Sequence, residues 1–387
     1  MDSVRLPRRL LLAQAGSALL AVATGCTSTG ATSTTTGPTS SGQTVGDEAA
    51  LRRKIASLLV VGFRGERVNQ DDWIVRAVND GLGGVILFDR DLETNSARNI
   101  SSPEQVTALV KTLRDASPGR LIVSIDQEGG RTSRLNPSNG FPATKSQAEI
   151  GAENSPNATR EWAQGLVASL TQIGVNLNYA PVVDLNVNPE SRAIGKLDRS
   201  FSADPDVVVN NATEEIEVHR AAQIMTNLKH FPGSGSAAGN TDFEVVDVTD
   251  TWSERELEPF QRLIQAGLAD SVMAAHVLNR QLDPMFPASL SSRTVTGLLR
   301  GQLGWQGPVV SDDMQAMAIT RRYGAAEAVA LAVQAGLDLL VFANQQVYNP
   351  NIVDQTIDTV IDLVRSGRLT AARIDESVAR VDTLRPK

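Results

Sequence analysis

The sequence predicts an α/β chain folded as a single-domain (β/α)₈ TIM barrel, and three observations carry that prediction. Eight short apolar runs recur between residues 57 and 342, segments of helical spacing separate them, and chemically loaded residues follow directly on the runs. A doubly wound open sheet satisfies the same alternation and is the alternative architecture.

The runs fall at 57–61, 84–88, 121–125, 176–179, 223–228, 271–275, 308–310 and 337–342. Each is short, apolar and bounded by glycine, proline or polar residues, the pattern of a strand buried on both faces. Helical spacing runs through 103–116, 158–174, 207–222, 254–267 and 325–336, the last ending in Ala-Gly before the next strand. Directly after runs lie Asp126 to Arg131, Asp184, Lys229-His230, His276 and Ser311-Asp312-Asp313. In a barrel the C-terminal strand ends converge, so residues almost 190 positions apart would share one mouth.

The first 25 residues read as a signal peptide and not as part of this fold. Arg5, Arg8 and Arg9 form a positive n-region, residues 10–22 are apolar but too short to span a bilayer, and Ala-Thr-Gly precedes Cys26. Cleavage before Cys26 would remove three arginines and one aspartate, taking the formal charge from -8 to -10. Cys26 is the sole cysteine of the chain, so no internal disulfide can form, and lipidation at a new N-terminus is its natural use. Arg8-Arg9 suggests the twin-arginine export route. Residues 26–46, rich in Ser, Thr and Gly, cannot bury a core and read as a tether with a reach of roughly 25 Å. The expectation is a barrel over 47–387, exported and held to the outer face of the cell membrane through Cys26, acting as a monomer.

A net charge of -8 offers no electrostatic footprint for nucleic acid. No His/Cys metal spacing, phosphate loop or dinucleotide fingerprint occurs, so no cofactor is expected. A mouth with several carboxylates, arginines and histidines suits a sugar, because charged side chains bond vicinal hydroxyls and paired carboxylates can act as nucleophile and proton donor.

The segments Ile125-Asp-Gln-Glu-Gly-Gly-Arg131 with Arg134, Asn178-Tyr-Ala-Pro-Val-Val-Asp184, Asp198-Arg-Ser-Phe201, Lys229-His-Phe-Pro-Gly233, Val272-Met-Ala-Ala-His-Val277 and Val310-Ser-Asp-Asp-Met314 resemble glycoside hydrolase family 3. The chain looks most like its single-domain β-N-acetylhexosaminidase branch, over about residues 50–385. The resemblance implies a barrel that cleaves a terminal β-linked N-acetylglucosamine, without metal and with retention, often in turnover of cell-wall sugars. It implies Asp312 as nucleophile and Asp126, Arg134, Arg199, Lys229 and His230 as sugar ligands. Asp184 and His276 lie in matching motifs, either as supports behind those ligands or as substrate contacts.

The chain departs from the family in the loop after the fifth run. That loop normally continues as His-Gly and then Asp-Ser-His, whose Asp-His pair is the acid/base. Here Ser234 replaces the first histidine and Asp242-Phe243-Glu244 is read at the place of the pair. Glu244 is the candidate acid/base, with Asp242 as its partner raising its pKa, and Gly233, Gly235 and Gly239 are read as hinges of a closing lid. Glu128 is read as a structural partner of Arg131, and His219 as a histidine at or near solvent. Two alternatives stay open: an impaired member that binds glycans at the envelope, and a hydrolase of another β-glycoside.

Overall fold

The computed structural model describes residues 41–386. All eight expected runs form strands: β1 (Leu59–Gly62), β2 (Gly84–Ile86), β3 (Ile122–Ile125), β4 (Leu177–Asn178), β5 in two stretches (Met225–Thr226 and Leu228–Phe231), β6 (Val272–Ala274), β7 (Val309–Ser311) and β8 (Leu340–Phe342). One parallel sheet runs β8-β1-β2-β3-β4-β5 and a second runs β5-β6-β7, so that β5 belongs to both. Its first stretch pairs with β4 and its second with β6. A single parallel bridge, Val310 to Leu339, joins β7 to the start of β8 and completes the ring of a (β/α)₈ barrel.

The strands are buried on both faces, as their apolar runs require, with Val60, Val85, Val123, Leu177, Val272 and Val310 fully buried. The helix Pro103–Ala116 shows how the sequence builds the outer layer. Ser102 caps it by accepting from the Gln105 amide, Pro103 occupies its first turn, and Val106, Leu109, Val110 and Leu113 form one buried stripe. Leu109→Ala would cost about 2–5 kcal/mol through the cavity left behind. Pro156–Ile173 is capped in the same way by Ser155 and ends on Gly174. Helices also form at Trp73–Asn79, Met317–Tyr323, Ile352–Arg365 and Ala371–Val381, which the spacing of apolar residues did not pick out.

Two expectations change at this level. A helix spans Ser41–Ala56, so the last six residues of the expected tether are helical. His219 is fully buried in the helix Pro205–Ala221: its Nδ1–H donates to the Glu215 carbonyl at 2.8 Å and its Nε2 accepts from Asn178 Nδ2 at 3.1 Å. Burial lowers its pKa to about 4. The signal peptide, Cys26 and most of the tether lie outside the described residues. Among the described residues no helix is long and apolar enough to cross a membrane.

Candidate active site

A cavity of about 520 Å³ opens at the C-terminal ends of the strands. Its inner wall comes from β3, β4, β5 and the segments that follow them. Asp126 leaves the end of β3, and its Oδ1 accepts from Lys229 Nζ at 2.7 Å, while Arg134 Nη2 stands 3.7 Å from Oδ2. Glu128 is buried between two cations. Lys229 Nζ reaches its Oε1 at 2.6 Å, and Arg199 forks onto both oxygens at 2.7 Å. Burial alone would raise the Glu128 pKa, but Arg199 and Lys229 outweigh it and hold the carboxyl well below its ordinary range. The Arg131 partnership expected for Glu128 does not form. Arg131 is exposed and donates to the Lys196 carbonyl at 3.2 Å, because the turn at Gly129-Gly130 carries it away from the strand end.

Asp184, fully buried, serves as a support and not as a cavity wall. It accepts from the backbone amides of His230 at 3.2 Å and Ser234 at 2.7 Å, and from His230 Nδ1 at 2.7 Å. With Nδ1 donating, His230 Nε2 is free to face Arg199 Nη2 at 3.4 Å. His276 is likewise a support. Its Nε2–H donates to the Asp313 carbonyl at 2.9 Å and its Nδ1 accepts from Ser289 Oγ at 2.6 Å, and burial lowers its pKa against the pull of Asp312.

Asp312 follows β7 and lines the cavity, and its Oδ1 accepts from the Asp313 amide at 2.8 Å. Burial opposes its ionisation, yet His276, His230, that amide and Lys229 bring the pKa below the ordinary value. Asp313 behaves in the opposite way. Its Oδ1 accepts from the amides of Gln315 and Ala343, its Oδ2 is buried without a partner, and burial with nearby Asp242 pushes its pKa to about 7.

The loop after β5 forms the facing wall, and here the structure corrects the expected pair. Asn240 starts a single turn: its Oδ1 accepts from the Asp242 amide at 2.9 Å, and its carbonyl accepts from Phe243 and Glu244 at 3.2 Å. Residues in such a turn leave the axis about 100° apart. Asp242 and Phe243 therefore face the cavity, and Glu244 does not. Glu244 is 45% exposed and paired with Arg192. Asp242 has its pKa raised to about 6, by burial first and then by Asp312, with Arg199 pulling the other way.

Nor are the glycines hinges of an open lid. A Cβ at Gly235 would stand 1.6 Å from the Leu185 carbonyl oxygen. Gly233 has φ +115° and would press its Cβ to 2.6 Å from that of Glu256. The loop is pinned along its length: Ser234 to Asp184, Ser236 to Glu256 Oε2 at 3.2 Å, and the carbonyls of Thr241 and Asp242 to the amides of Ala318 and Met317 at 3.1 Å. Those last two bonds tie the turn to the helix after Asp312, which is why Asp242 and Asp312 meet. Of the sugar ligands expected from sequence, Asp126, Arg134, Arg199, Lys229 and His230 all line the one cavity. Among the described residues, no group of three or more His, Cys, Asp or Glu could hold a metal ion.

Residues 50–384 match the description Glycosyl hydrolase family 3 N terminal domain. A β-hexosaminidase of Xylella fastidiosa is 36% identical over 303 residues, covering 76% of this chain and 85% of the relative. The solved family 3 β-N-acetylglucosaminidase of Paenibacillus superposes with a TM-score of 0.78 at 34% identity over 86% of this chain, which spans 62% of that protein's length. The β-N-acetylhexosaminidase of Beutenbergia cavernae gives 0.75 at 30% identity, covering 86% of this chain and 97% of its own. The chain belongs to glycosyl hydrolase family 3. It is a glycoside hydrolase built on a (β/α)₈ barrel.

Proposed function

We propose that the chain is a retaining β-N-acetylhexosaminidase in which Asp312 is the nucleophile and Asp242 the acid/base. The observation that carries this reading is a pair of carboxyl groups on one cavity whose environments drive their pKa values apart, Asp312 downward and Asp242 to about 6. In the first step an Asp312 oxygen bonds to the anomeric carbon, the bond from that carbon to the glycosidic oxygen breaks, and the Asp242 proton passes to the departing oxygen. In the second step Asp242, now a carboxylate, takes a proton from water. The water oxygen bonds to the anomeric carbon and the ester to Asp312 breaks.

Asp126, Arg134, Arg199, Lys229 and His230 would hold the sugar hydroxyls. The N-acetylhexosamine assignment is supported by the names of the similar proteins. A glycan-binding protein without turnover is the rival reading, motivated by a loop with no histidine, and Asp242 answers that motive with a titratable proton at the same loop. Export and attachment through Cys26 complete the proposal on the strength of the n-region, the apolar run and the small residues before the cysteine. Loss of membrane association in Cys26→Ser would support the attachment.

The deciding experiment is Asp242→Asn on aryl β-N-acetylglucosaminides of graded leaving-group ability. Loss of roughly 10²–10⁴-fold on poor leaving groups and little on good ones is expected, with azide restoring the second step on the good ones. Equal rates for the variant and the unaltered protein on poor leaving groups would exclude Asp242. A glycosyl ester trapped on any residue but Asp312 would exclude the nucleophile.

A further inference from the structure

We infer that Phe243 is the binding platform for the leaving group, taking the apolar face of a pyranose linked through the scissile oxygen. This deepens the hydrolase reading and rests on Asp242 as the proton donor. The chain holds nine Phe, four Trp and three Tyr, all within the described residues. Of these sixteen rings Phe243 alone is exposed, at 52%, and it lines the cavity. An aromatic ring kept in water contributes little to the fold, and an isolated apolar side chain on a surface is unremarkable in itself. What distinguishes this one is its position.

The donor must come within hydrogen-bond distance of the glycosidic oxygen, about 2.6–3.2 Å. The leaving sugar is attached to that same oxygen, so its ring must lie within one sugar width of Asp242. Phe243 is the next residue of the same turn and faces the same cavity. The turn is fixed from both sides, by Asn240 beneath it and by Met317 and Ala318 from the helix behind Asp312. The ring is therefore held at a set place relative to the nucleophile. A β-linked pyranose presents axial C–H groups on one face, and such a face packs on an aromatic ring as other apolar groups do. Glu244, turned outward, links the turn to the segment that carries Arg199 through its pair with Arg192.

The test compares two substrates that both need the acid but differ in leaving-group size: the β-1,4-linked disaccharide of N-acetylglucosamine and the methyl β-glycoside. Phe243→Ala is expected to lower kcat/KM for the disaccharide about three- to tenfold, mainly through KM, with the methyl glycoside unchanged. Phe243→Trp is expected to restore the disaccharide, and the thermal midpoint of both variants to match that of the unaltered protein. Equal losses on the two substrates, or none on the disaccharide, would overturn the platform while leaving the hydrolase reading intact. Failure of the unaltered protein to turn over either substrate would overturn that reading, and the platform with it.

Discussion

On the inner wall of the cavity Asp126 and Glu128 each meet a cation, whereas beside Asp312, on the wall formed by the β5 loop and β7 and behind it at Glu256, three carboxyl groups are drawn away from water without an ion pair. Asp126 has Lys229 and Arg134, and Glu128 has Lys229 and Arg199, while behind them Asp184 accepts from His230 Nδ1. Asp242, Asp313 and Glu256 instead show pKa values pushed to about 6, 7 and 7, with burial the largest cause in each. A carboxylate without a cation cannot easily stay charged away from water, so it keeps its proton. The inner wall is thus a rigid set of fixed charges suited to gripping hydroxyls. The outer wall stores protons beside the one carboxylate, Asp312, that is kept ionised.

The largest effect expected from breaking this arrangement is at its centre. Asp312→Ala should lower kcat/KM on the order of 10⁴-fold or more, measured with a fluorogenic β-N-acetylglucosaminide. The companion Asp312→Asn sharpens the comparison, because it removes the like charge facing Asp242. The Asp242 pKa, followed by carboxyl NMR shifts, should then fall from about 6 toward its ordinary value. An unchanged Asp242 titration would mean that burial alone sets it.

Next in size is the pH profile. A general acid works only while protonated, so with a poor leaving group the rate should decline as pH rises through about 6. In Asp242→Asn that basic limb should vanish. If the limb persists near pH 7, Asp313 is the donor and the outer wall has been assigned by the wrong carboxyl.

Stability separates the walls as well. Glu128→Gln leaves Lys229 and Arg199 short of a buried partner and should destabilise the fold by about 3–5 kcal/mol in urea titration. Asp126→Asn should cost much less, since its side chain is 19% exposed and water can replace the lost charge. Similar losses at both positions would show that the network acts as one unit.

The barrel and the inner wall were legible in the sequence because they rest on local signals. Strand runs such as 84–88 announce themselves by composition, and Asp126, Lys229 and His230 follow directly on such runs. Asp184 and His276 left their roles open, since a buried polar residue and a ligand look alike until their partners are seen. The pairing of Glu128 with Arg199, 71 positions away, had no local trace and was misassigned to nearby Arg131. On the outer wall it is Asp242 that lines the cavity, two residues before the expected Glu244. No apolar periodicity marks residues 233–244, and which side chain faces the cavity depends on a turn begun by Asn240 and on amides of residues 317 and 318. The Asn-x-Asp spacing of a side-chain-capped turn was the one available signal.

The smallest expected effect is the most direct test of the contrast, because carboxyls with and without a cation should respond to acid with opposite sign. Glu256 has a folded pKa of about 7 against an ordinary 4.5. Between these values the folded protein holds a proton that the unfolded chain has released, so this group makes stability fall as pH rises, by at most about 3 kcal/mol over the window. Glu128 has its folded pKa depressed, so its contribution is present above 4.5 and is lost as pH falls through the folded value. Glu256→Gln keeps an oxygen to accept from Ser236 but cannot titrate. It should reduce the downward slope of unfolding free energy between pH 4.5 and 7 by up to about 1.4 kcal/mol per pH unit, the worth of one proton. Asp242 and Asp313 should maintain the remainder of that slope. Glu128→Gln should leave this slope alone and flatten only the acid end below pH 4.5. If Glu256→Gln leaves the slope between pH 4.5 and 7 unchanged, Glu256 is ionised in the folded protein, and its bond to the loop is then a charged anchor like those of the inner wall.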